Sequence, residues 1–210
     1  MKNTHINTHP IVQDRLTKLR NKATRPKTFR SCLNDIAMFL AMDATADLPT
    51  YKKTIETPIT ETEGTLLVET NPLIIPILRA GLALSESLQS ILPNADTGHI
   101  GLARDHETHD PIQYLNRLPL NLDRPLFIVD PMLATGGSMI ATLNILVEKG
   151  AKIDDMIIIT LVCAPEGIKA LRTTYPNIPL YTAAIDGHLN DDAYIVPGLG
   201  DAGDRYFGTQ

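Results

Sequence analysis

Cysteine is scarce in this chain, which contains only Cys32 and Cys163, far apart in the sequence. There is no CxxC pair, and the spacing is neither that of a disulfide framework nor that of a cysteine-based zinc site. We therefore interpret both cysteines as free, buried thiols. This usage fits the reducing environment of the cytoplasm, which is the location we expect.

Long apolar segments are also missing. The longest nearly apolar run, Met156–Pro165, is much shorter than the ~20 residues that a membrane-spanning helix needs. The first fifteen residues are polar and contain no apolar stretch of signal-peptide length. The sequence therefore predicts no membrane association.

Positive charge is in the minority, with 19 Lys and Arg against 24 Asp and Glu, a net charge of −5 and a pI of about 5.6. This balance argues against a protein that captures nucleic acid or anionic lipid by long-range attraction. A phosphorylated small-molecule ligand is compatible with this net charge, because single loops can be cationic in an acidic protein.

Two common nucleotide-binding motifs are excluded. The chain has no Gly-Lys pair, and a P-loop NTPase needs one in its GxxxxGK[ST] motif. Residues 198–203 match GxGxxG, but a dinucleotide-binding motif must open a helix within a βαβ unit of ~30 residues. Too little chain follows for such a unit, so these glycines are expected to serve another purpose.

What the sequence does contain is an alternation of helical and strand-like patterns over 210 residues, which fits one domain, 1–210. Helical spacing of apolar residues appears at 12–19, 29–44, 82–92, 139–147 and 168–171. Strand-like apolar runs appear at 73–78, 99–103, 126–129, 156–162 and 180–184. We predict an α/β fold with a doubly wound, mostly parallel sheet, whose ligands bind beyond the carboxyl ends of the strands.

One strand end has the composition of a phosphate-binding turn. The run 126–129 leads into the Asp130–Ser138 loop, DPMLATGGS, and a helical pattern follows. Pro131 keeps Asp130 out of a helical conformation, and the glycines allow the backbone to approach a ligand closely. The amides at the helix start favour a phosphate. The alternative is a plain strand-to-helix turn with Thr135 or Ser138 as the N-cap.

Two further loops carry charge. Arg79 follows the run 73–78, where its planar guanidinium suits contact with phosphate oxygens, although a surface arginine at a sheet edge is the alternative. Residues 101–111 are dense in charge and predict an exposed hairpin. His106 and His109 stand three residues apart there, but without further ligands a zinc site is disfavoured. Cys163 ends an apolar run without a cationic neighbour, so we expect a core residue rather than a nucleophile.

Four segments together resemble the uracil phosphoribosyltransferases, a branch of the type I phosphoribosyltransferase family. They are DPMLATGGS at 130–138, the Arg79-Ala80-Gly81 turn, APEGI at 164–168 and the C-terminal YIVPGLGDAGD at 194–204. The DATADL segment at 43–48 also fits. The chain departs from the family pattern at Ala103, His106, His109 and Cys163.

The resemblance implies the type I phosphoribosyltransferase fold, with a β-hairpin flap at about 101–119 and a C-terminal uracil-binding segment at about 186–210. It also implies conversion of uracil and phosphoribosyl pyrophosphate (PRPP) to UMP and diphosphate in pyrimidine salvage, assisted by Mg²⁺. Family members are commonly homodimers or larger homo-oligomers, and GTP is a candidate activator. No Mg²⁺ ligand is assigned directly.

The resemblance also implies residue roles. Asp130, Arg104 and Asp201 are the implied catalytic residues. PRPP binding is implied for Arg79, Arg104, Asp130, Pro131, Met132, Leu133, Ala134, Thr135, Gly136, Gly137, Ser138 and Asp201. Uracil binding is implied for Ile195, Gly200, Asp201 and Ala202, largely through backbone groups.

Two other functions stay open at the level of the sequence. A regulator of pyrimidine genes that binds RNA can keep a related phosphoribosyl loop, although the acidic pI and the lack of a Lys/Arg stripe argue against it. A binding module without turnover is the other alternative, and the presence of all the implied contact residues argues against that.

Overall fold

The alternating sequence patterns form an α/β fold in the computed structural model, which describes residues 3–104 and 111–209. Side chains are described throughout these ranges except at Arg104 and Pro111. The predicted flap therefore falls partly outside the described residues, as do His106 and His109.

Six α-helices occur in the described ranges, and their apolar faces explain their positions. They are α1 (Pro10–Arg20), α2 (Pro26–Ala44), α3 (Leu82–Ile91), α4 (Gly137–Glu148), α5 (Pro165–Thr174) and α6 (Ala202–Phe207). Proline stands in the first turn of α1, α2 and α5, where its missing N–H costs no helical hydrogen bond. A short 3-10 helix covers Ile153–Asp155.

The strands are short and mostly apolar where they are central. They are β1 (Thr4–Ile6), β2 (Thr50–Glu56), β3 (Glu61–Leu67), β4 (Leu73–Leu78), β5 (Asp96–Thr97), β6 (His99–Arg104), β7 (Pro111–Arg117), β8 (Leu126–Val129), β9 (Met132–Leu133), β10 (Met156–Ile159), β11 (Val162–Cys163), β12 (Leu180–Thr182), β13 (Ala184–Ile185), β14 (His188–Leu189) and β15 (Ile195–Val196).

The main sheet has the order β1-β12-β10-β8-β4-β6-β7, and β5 also pairs with β4. Every pairing in it is parallel except that of β6 with β7, which is antiparallel. From β4 the chain first builds outward to β6 and then returns to β8 on the other side. The strand order therefore reverses between β4 and β8, which is where open α/β sheets bind ligands.

Helices cover both faces of this sheet, so its central strands are apolar throughout rather than alternating. In β8, Phe127 and Val129 pack in the core beneath α1, α2 and α3. Leu126 and Ile128 pack in the second core, beneath α4 and α5. All four side chains are fully buried. The predicted doubly wound, mostly parallel sheet is confirmed.

Two strand predictions were wrong in their extent. The run 156–162 is split, because β10 ends at Ile159 and β11 begins at Val162. The run 180–184 is split in the same way between β12 and β13. The strands β9, β11 and β13 form a separate parallel sheet, so the chain leaves the main sheet and pairs again beyond its carboxyl edge. Apolar character alone does not reveal this break, since apolar residues stand on both sides of it.

An exposed hairpin, β2–β3, was not predicted. Its strands pair antiparallel from Thr50 with Leu67 to Glu56 with Glu61, and nearly all of its residues are exposed. Polar and apolar residues occur on both faces of the hairpin, so its sequence lacks the clear two-residue alternation that would predict strands. No helix of the described residues is long and apolar enough to cross a membrane.

Candidate active site

Two of the predicted site residues follow neighbouring strands. Arg79 comes directly after β4 and Asp130 directly after β8. In the parallel pairing of these strands, Pro76 stands opposite Val129, so both side chains emerge at the same edge of the sheet. The peptide bond between Leu78 and Arg79 is cis. The prediction that both residues lie over one rim of the sheet is confirmed by this register.

The Asp130–Ser138 loop passes through β9 and enters α4. Gly136 is the N-cap of α4, with a left-handed φ of +87°, a conformation that only glycine adopts readily. The N–H of Gly137 donates a hydrogen bond to Thr135 Oγ1 at 3.3 Å. The N-cap residue is thus neither Thr135 nor Ser138, although Thr135 Oγ1 accepts from the first N–H of the helix. A helix N-terminus that begins at a glycine lets an anion approach its amides closely.

Part of the loop has a structural task. The carbonyl oxygen of Pro131 accepts hydrogen bonds from the N–H groups of Leu161 and Val162, at 2.9 and 3.2 Å. The carbonyl oxygen of Leu133 accepts one from Ala164 at 2.9 Å. These bonds attach the loop to the small sheet. Pro131 and Leu133 are both buried, and they hold the loop in place.

The C-terminal segment, residues 186–209, approaches from the other side. Ile195 is buried in β15, opposite Leu189 of β14. Asp201 is the N-cap of α6, and its Oδ1 accepts a hydrogen bond from the N–H of Asp204 at 2.9 Å. The glycine-rich stretch therefore opens a helix, which the sequence analysis did not predict. That helix has six residues and is not part of a βαβ unit, so the exclusion of a dinucleotide site is unaffected.

One cavity joins the strand ends to the C-terminal segment. This strand-end cavity has a volume of about 390 Å³. The predicted site residues that line it are Arg79, Asp130, Met132, Ala134, Ser138, Ile195 and Asp201. A second cavity of about 110 Å³ is lined by the Asp130–Ser138 loop and shares Asp130, Met132, Ala134 and Ser138 with the first. The structure thus brings together residues that are distant in the sequence.

Other predicted residues are not in the wall of the strand-end cavity. Gly200 is exposed, and Ala202, the first residue of α6, is buried in the core. Only the backbone groups of these two residues are therefore candidates for contact with a ligand. Leu133, Thr135, Gly136 and Gly137 line the smaller cavity. The backbone of Arg104 ends β6, but its proposed contact lies outside the described side chains.

Sequence reasoning did not assign seven residues that line the strand-end cavity, of which Ile77, Leu78, Ala80 and Leu102 lie in β4, in the turn after it and in β6. The other three are Asp192, Ala193 and Tyr194. They belong to the turn between β14 and β15, which is held by Asn190: its side-chain oxygen accepts from the Tyr194 N–H at 2.8 Å. Ala193 has a φ of +61°. Tyr194 stands in the YIVPGLG segment that carried the resemblance, and this was the available signal.

Charged side chains of both signs line the strand-end cavity. They are Arg79 and the carboxylates of Asp130, Asp192 and Asp201. The Arg79 side chain is 64% exposed, and its Nη2 lies 3.9 Å from Asp204 Oδ1 of α6. An ion pair this long and this exposed contributes little to stability. A permanently charged guanidinium therefore stands at the cavity mouth, where a ligand with phosphate groups can reach it.

Cys163 has no part in this chemistry. It is fully buried, and burial raises the pKa of its thiol to about 11, although hydrogen bonds with Thr160 and Thr182 act in the opposite direction. Both cysteines are free and buried. The prediction of two core thiols is confirmed.

Comparison with known proteins decides the family. A model of the uracil phosphoribosyltransferase family matches residues 6–209. The chain belongs to the uracil phosphoribosyltransferase family. A uracil phosphoribosyltransferase from Dictyoglomus turgidum is 50% identical over 203 residues, which cover 96% of this chain and 97% of that protein.

Solved structures agree on the fold. The AQ2163 protein from Aquifex aeolicus aligns with a TM-score of 0.90 and 30% identity, covering 99% of each chain. An adenine phosphoribosyl transferase from Trypanosoma brucei aligns with a TM-score of 0.61 and 13% identity, over 92% of this chain and 88% of that one. At this identity the second likeness concerns the fold alone, and it confirms the predicted phosphoribosyltransferase architecture for this family member.

Proposed function

We propose that this chain transfers the 5-phosphoribosyl group of PRPP to N1 of uracil, which yields UMP and diphosphate. The observation that supports this most is that one cavity is lined both by the Asp130–Ser138 loop and by Ile195 and Asp201 of the C-terminal segment. A phosphate site and a base site must share one cavity if a bond is to form between their ligands.

The sugar phosphate occupies the loop side in this proposal. Backbone amides at the start of α4 and the hydroxyls of Thr135 and Ser138 hold the 5-phosphate, in the region where the smaller cavity lies. Asp130 accepts hydrogen bonds from the ribose hydroxyls. Because its carboxylate is at the strand tip beside this loop, it also favours the positive charge that develops on the sugar.

The diphosphate leaving group occupies the side of Arg79. Breaking the bond between C1 of the ribose and the diphosphate oxygen leaves negative charge on the diphosphate. The Arg79 guanidinium at the cavity mouth stabilises this charge as it develops. We also propose that Arg104 binds this group, a contact that lies outside the described side chains.

Uracil lies against the C-terminal segment. Its edge presents a fixed pattern of donors and acceptors, which backbone groups of Ile195 and of Gly200–Ala202 match without loss of side-chain entropy. A site built from buried polar groups rejects a base that leaves them unpaired. We therefore expect uracil to be preferred strongly over purines.

Magnesium is the proposed cofactor. Within residues 3–104 and 111–209, no group of three or more His, Cys, Asp or Glu side chains is placed to hold a metal ion. Mg²⁺ usually binds through one or two carboxylates, waters and substrate phosphates, and Asp130 and Asp201 both line the cavity. The donor set therefore fits an ion that arrives with PRPP, and such an ion would offset the negative charge of the diphosphate.

A homodimer or larger homo-oligomer is proposed from the hairpin β2–β3. The exposed apolar side chains on or beside it are Tyr51, Ile55, Ile59, Leu66, Leu67 and Val68, and such a patch is typical of an interaction surface. Light scattering after size-exclusion chromatography tests the oligomeric state. Activation by GTP and a cytoplasmic location follow from the sequence expectations alone, and assays with added GTP and cell fractionation test them.

The experiment that tests the function is an assay of the purified protein with PRPP, MgCl₂ and labelled uracil, in which UMP is separated from the base. We expect UMP and diphosphate in equal amounts, and no nucleotide from adenine or hypoxanthine. Uracil that stays unconverted at high enzyme concentration would contradict the proposal. RNA binding without turnover would point to the regulator alternative.

A further inference from the structure

A buried ion pair lies behind the C-terminal segment. Arg20 is the last residue of α1, and Asp186 follows β13. The Arg20 guanidinium donates two hydrogen bonds to the carboxylate of Asp186, from Nη2 to Oδ1 at 2.6 Å and from Nη1 to Oδ2 at 2.7 Å. The Asp186 side chain is 4% exposed and that of Arg20 is 24% exposed. This is the bidentate geometry in which arginine holds a carboxylate most firmly.

The same pair binds both backbone groups of Gly198. The N–H of Gly198 donates to Asp186 Oδ2 at 2.9 Å. The carbonyl oxygen of Gly198 accepts from Arg20 Nη1 at 2.7 Å. One peptide unit on each side of the Gly198 Cα is therefore fixed by a charged group, and hydrogen bonds to charged groups are the stronger kind.

Gly198 is the position at which the C-terminal segment turns. Its φ is +57°, and a Cβ atom there would lie 2.0 Å from the carbonyl oxygen of Ile195. The turn connects Ile195, which lines the strand-end cavity, with Asp201, which also lines it. The direction in which both present their backbone groups therefore depends on the conformation at Gly198.

A second guanidinium, that of Arg205, attaches Leu199, the residue after Gly198, to the end of α1. Arg205 of α6 donates to the carbonyl oxygen of Leu199 at 2.7 Å and to that of Asn21 at 2.7 Å. It also stacks over the ring of Phe29, 4.5 Å from its centre. The end of α1 is thus the base on which the C-terminal segment rests.

We propose that the Arg20–Asp186 pair is a positioning unit that fixes the backbone of the uracil-binding segment through Gly198. This rests on the proposed function for its kinetic consequence, but not for its structural one. Neither side chain lines the strand-end cavity, so the pair acts on uracil only through the segment. It is not expected to affect the distant loop that holds the 5-phosphate.

The test compares Arg20→Lys and Asp186→Asn with Arg124→Lys in the full-length protein. Arg124 is a matched control, because it also bridges a carboxylate, that of Asp96, and a backbone carbonyl, that of Asn71. It does so at the opposite edge of the sheet, before β4 and β8. Lysine keeps the charge in both arginine variants but cannot form the two-pronged contact.

We expect KM for uracil to rise about 10- to 100-fold in Arg20→Lys and Asp186→Asn. KM for PRPP should change less, because Asp201 is the one proposed PRPP-binding residue that lies on this segment. Arg124→Lys should change neither constant. Equal effects on both substrates, or an unchanged KM for uracil, would overturn the proposal.

Hydrogen exchange of the substrate-free proteins is the second readout. Amides of residues 198–203 should exchange faster in the two variants, with those of β4 and β8 unchanged relative to wild type. A uniform acceleration, which a purely structural pair would cause, would overturn the proposal. If the wild-type protein forms no UMP, the proposed function fails, whereas the exchange data still decide whether this pair fixes the segment.

Discussion

Asp201 Oδ1 accepts a hydrogen bond from the backbone N–H of Asp204 at 2.9 Å, and so the carboxylate that caps α6 is also part of the cavity wall. Capping occupies one oxygen of the carboxylate. The second oxygen takes no part in this cap, and Asp201 lines the cavity in which we place the sugar and its metal ion. One side chain therefore has a structural role and a proposed binding role, which substitution can separate.

Asp201→Asn should keep the cap, since asparagine is as good an N-cap as aspartate, and should leave the free energy of unfolding nearly unchanged. It should lower kcat/KM for PRPP about 10- to 100-fold, as loss of a group that supports a metal does. Asp201→Ala should in addition lose ~1 kcal/mol of stability. Steady-state kinetics and urea unfolding measure these effects. Unchanged kinetics in Asp201→Asn would remove this residue from the site.

Arg79→Ala should lower kcat by about 10²- to 10³-fold, because Arg79 is proposed to stabilise charge that develops only as the diphosphate leaves. The stability of the variant should change little, since the ion pair of Arg79 with Asp204 is long and exposed. Lys152→Ala is a suitable control: this lysine pairs with Asp123 at 2.5 Å on the opposite edge of the sheet. If both variants kept wild-type turnover, Arg79 would have no catalytic role.

Gly136→Ala and Gly137→Ala test the loop that leads into α4. At Gly136, with φ +87°, an added Cβ would lie 3.1 Å from the carbonyl oxygen of Gly167, and alanine there should cost about 1–3 kcal/mol. At Gly137 it would meet only Thr135 Oγ1 at 3.6 Å, so its stability should stay near wild type. Thermal unfolding of the two variants measures the difference, and equal stabilities would refute the left-handed cap.

Much of the fold could be predicted because burial on both faces leaves a simple mark in the sequence. The bounds of β4 and β8 agree with the apolar runs 73–78 and 126–129. Arg79 and Asp130 could be placed at one edge because parallel strands end on the same side. For the same reason, a binding site between these two residues could be predicted from the sequence alone.

What could not be predicted depends on contacts between distant segments. The separate sheet of β9, β11 and β13 arises from pairing partners that no local pattern specifies. The short helix α6 is fixed by a cap and by Arg205, which binds carbonyl groups at the end of α1. The role of Asp186 could not be predicted, because only the folded chain brings Arg20 and Gly198 to it.

The buried thiol of Cys163 should make the stability of the folded protein depend on pH in the alkaline range. Burial raises its thiol pKa from an ordinary 9.0 to about 11, so the folded state keeps a proton that the unfolded state releases. This contribution to stability is fully present below pH 9 and is lost as the pH rises from 9 through 11. Between pH 8 and 10.5 it amounts to roughly 2 kcal/mol.

Cys163→Ala should therefore lower stability at pH 8 by leaving a cavity, but should lose less of it than wild type on the way to pH 10.5. Urea unfolding at both pH values measures the two losses, and every other ionisable group is common to both proteins. Parallel losses would show that the thiol does not ionise differently in the folded state.

Calorimetric titration of the wild-type protein with UMP, with ribose 5-phosphate and with uracil tests most directly whether one cavity holds both the sugar phosphate and the base. If the loop at the start of α4 and the C-terminal segment form one site, UMP should bind once per chain, far more tightly than either fragment, since it fills both halves together. UMP that binds no more tightly than ribose 5-phosphate would contradict a single cavity for sugar phosphate and base.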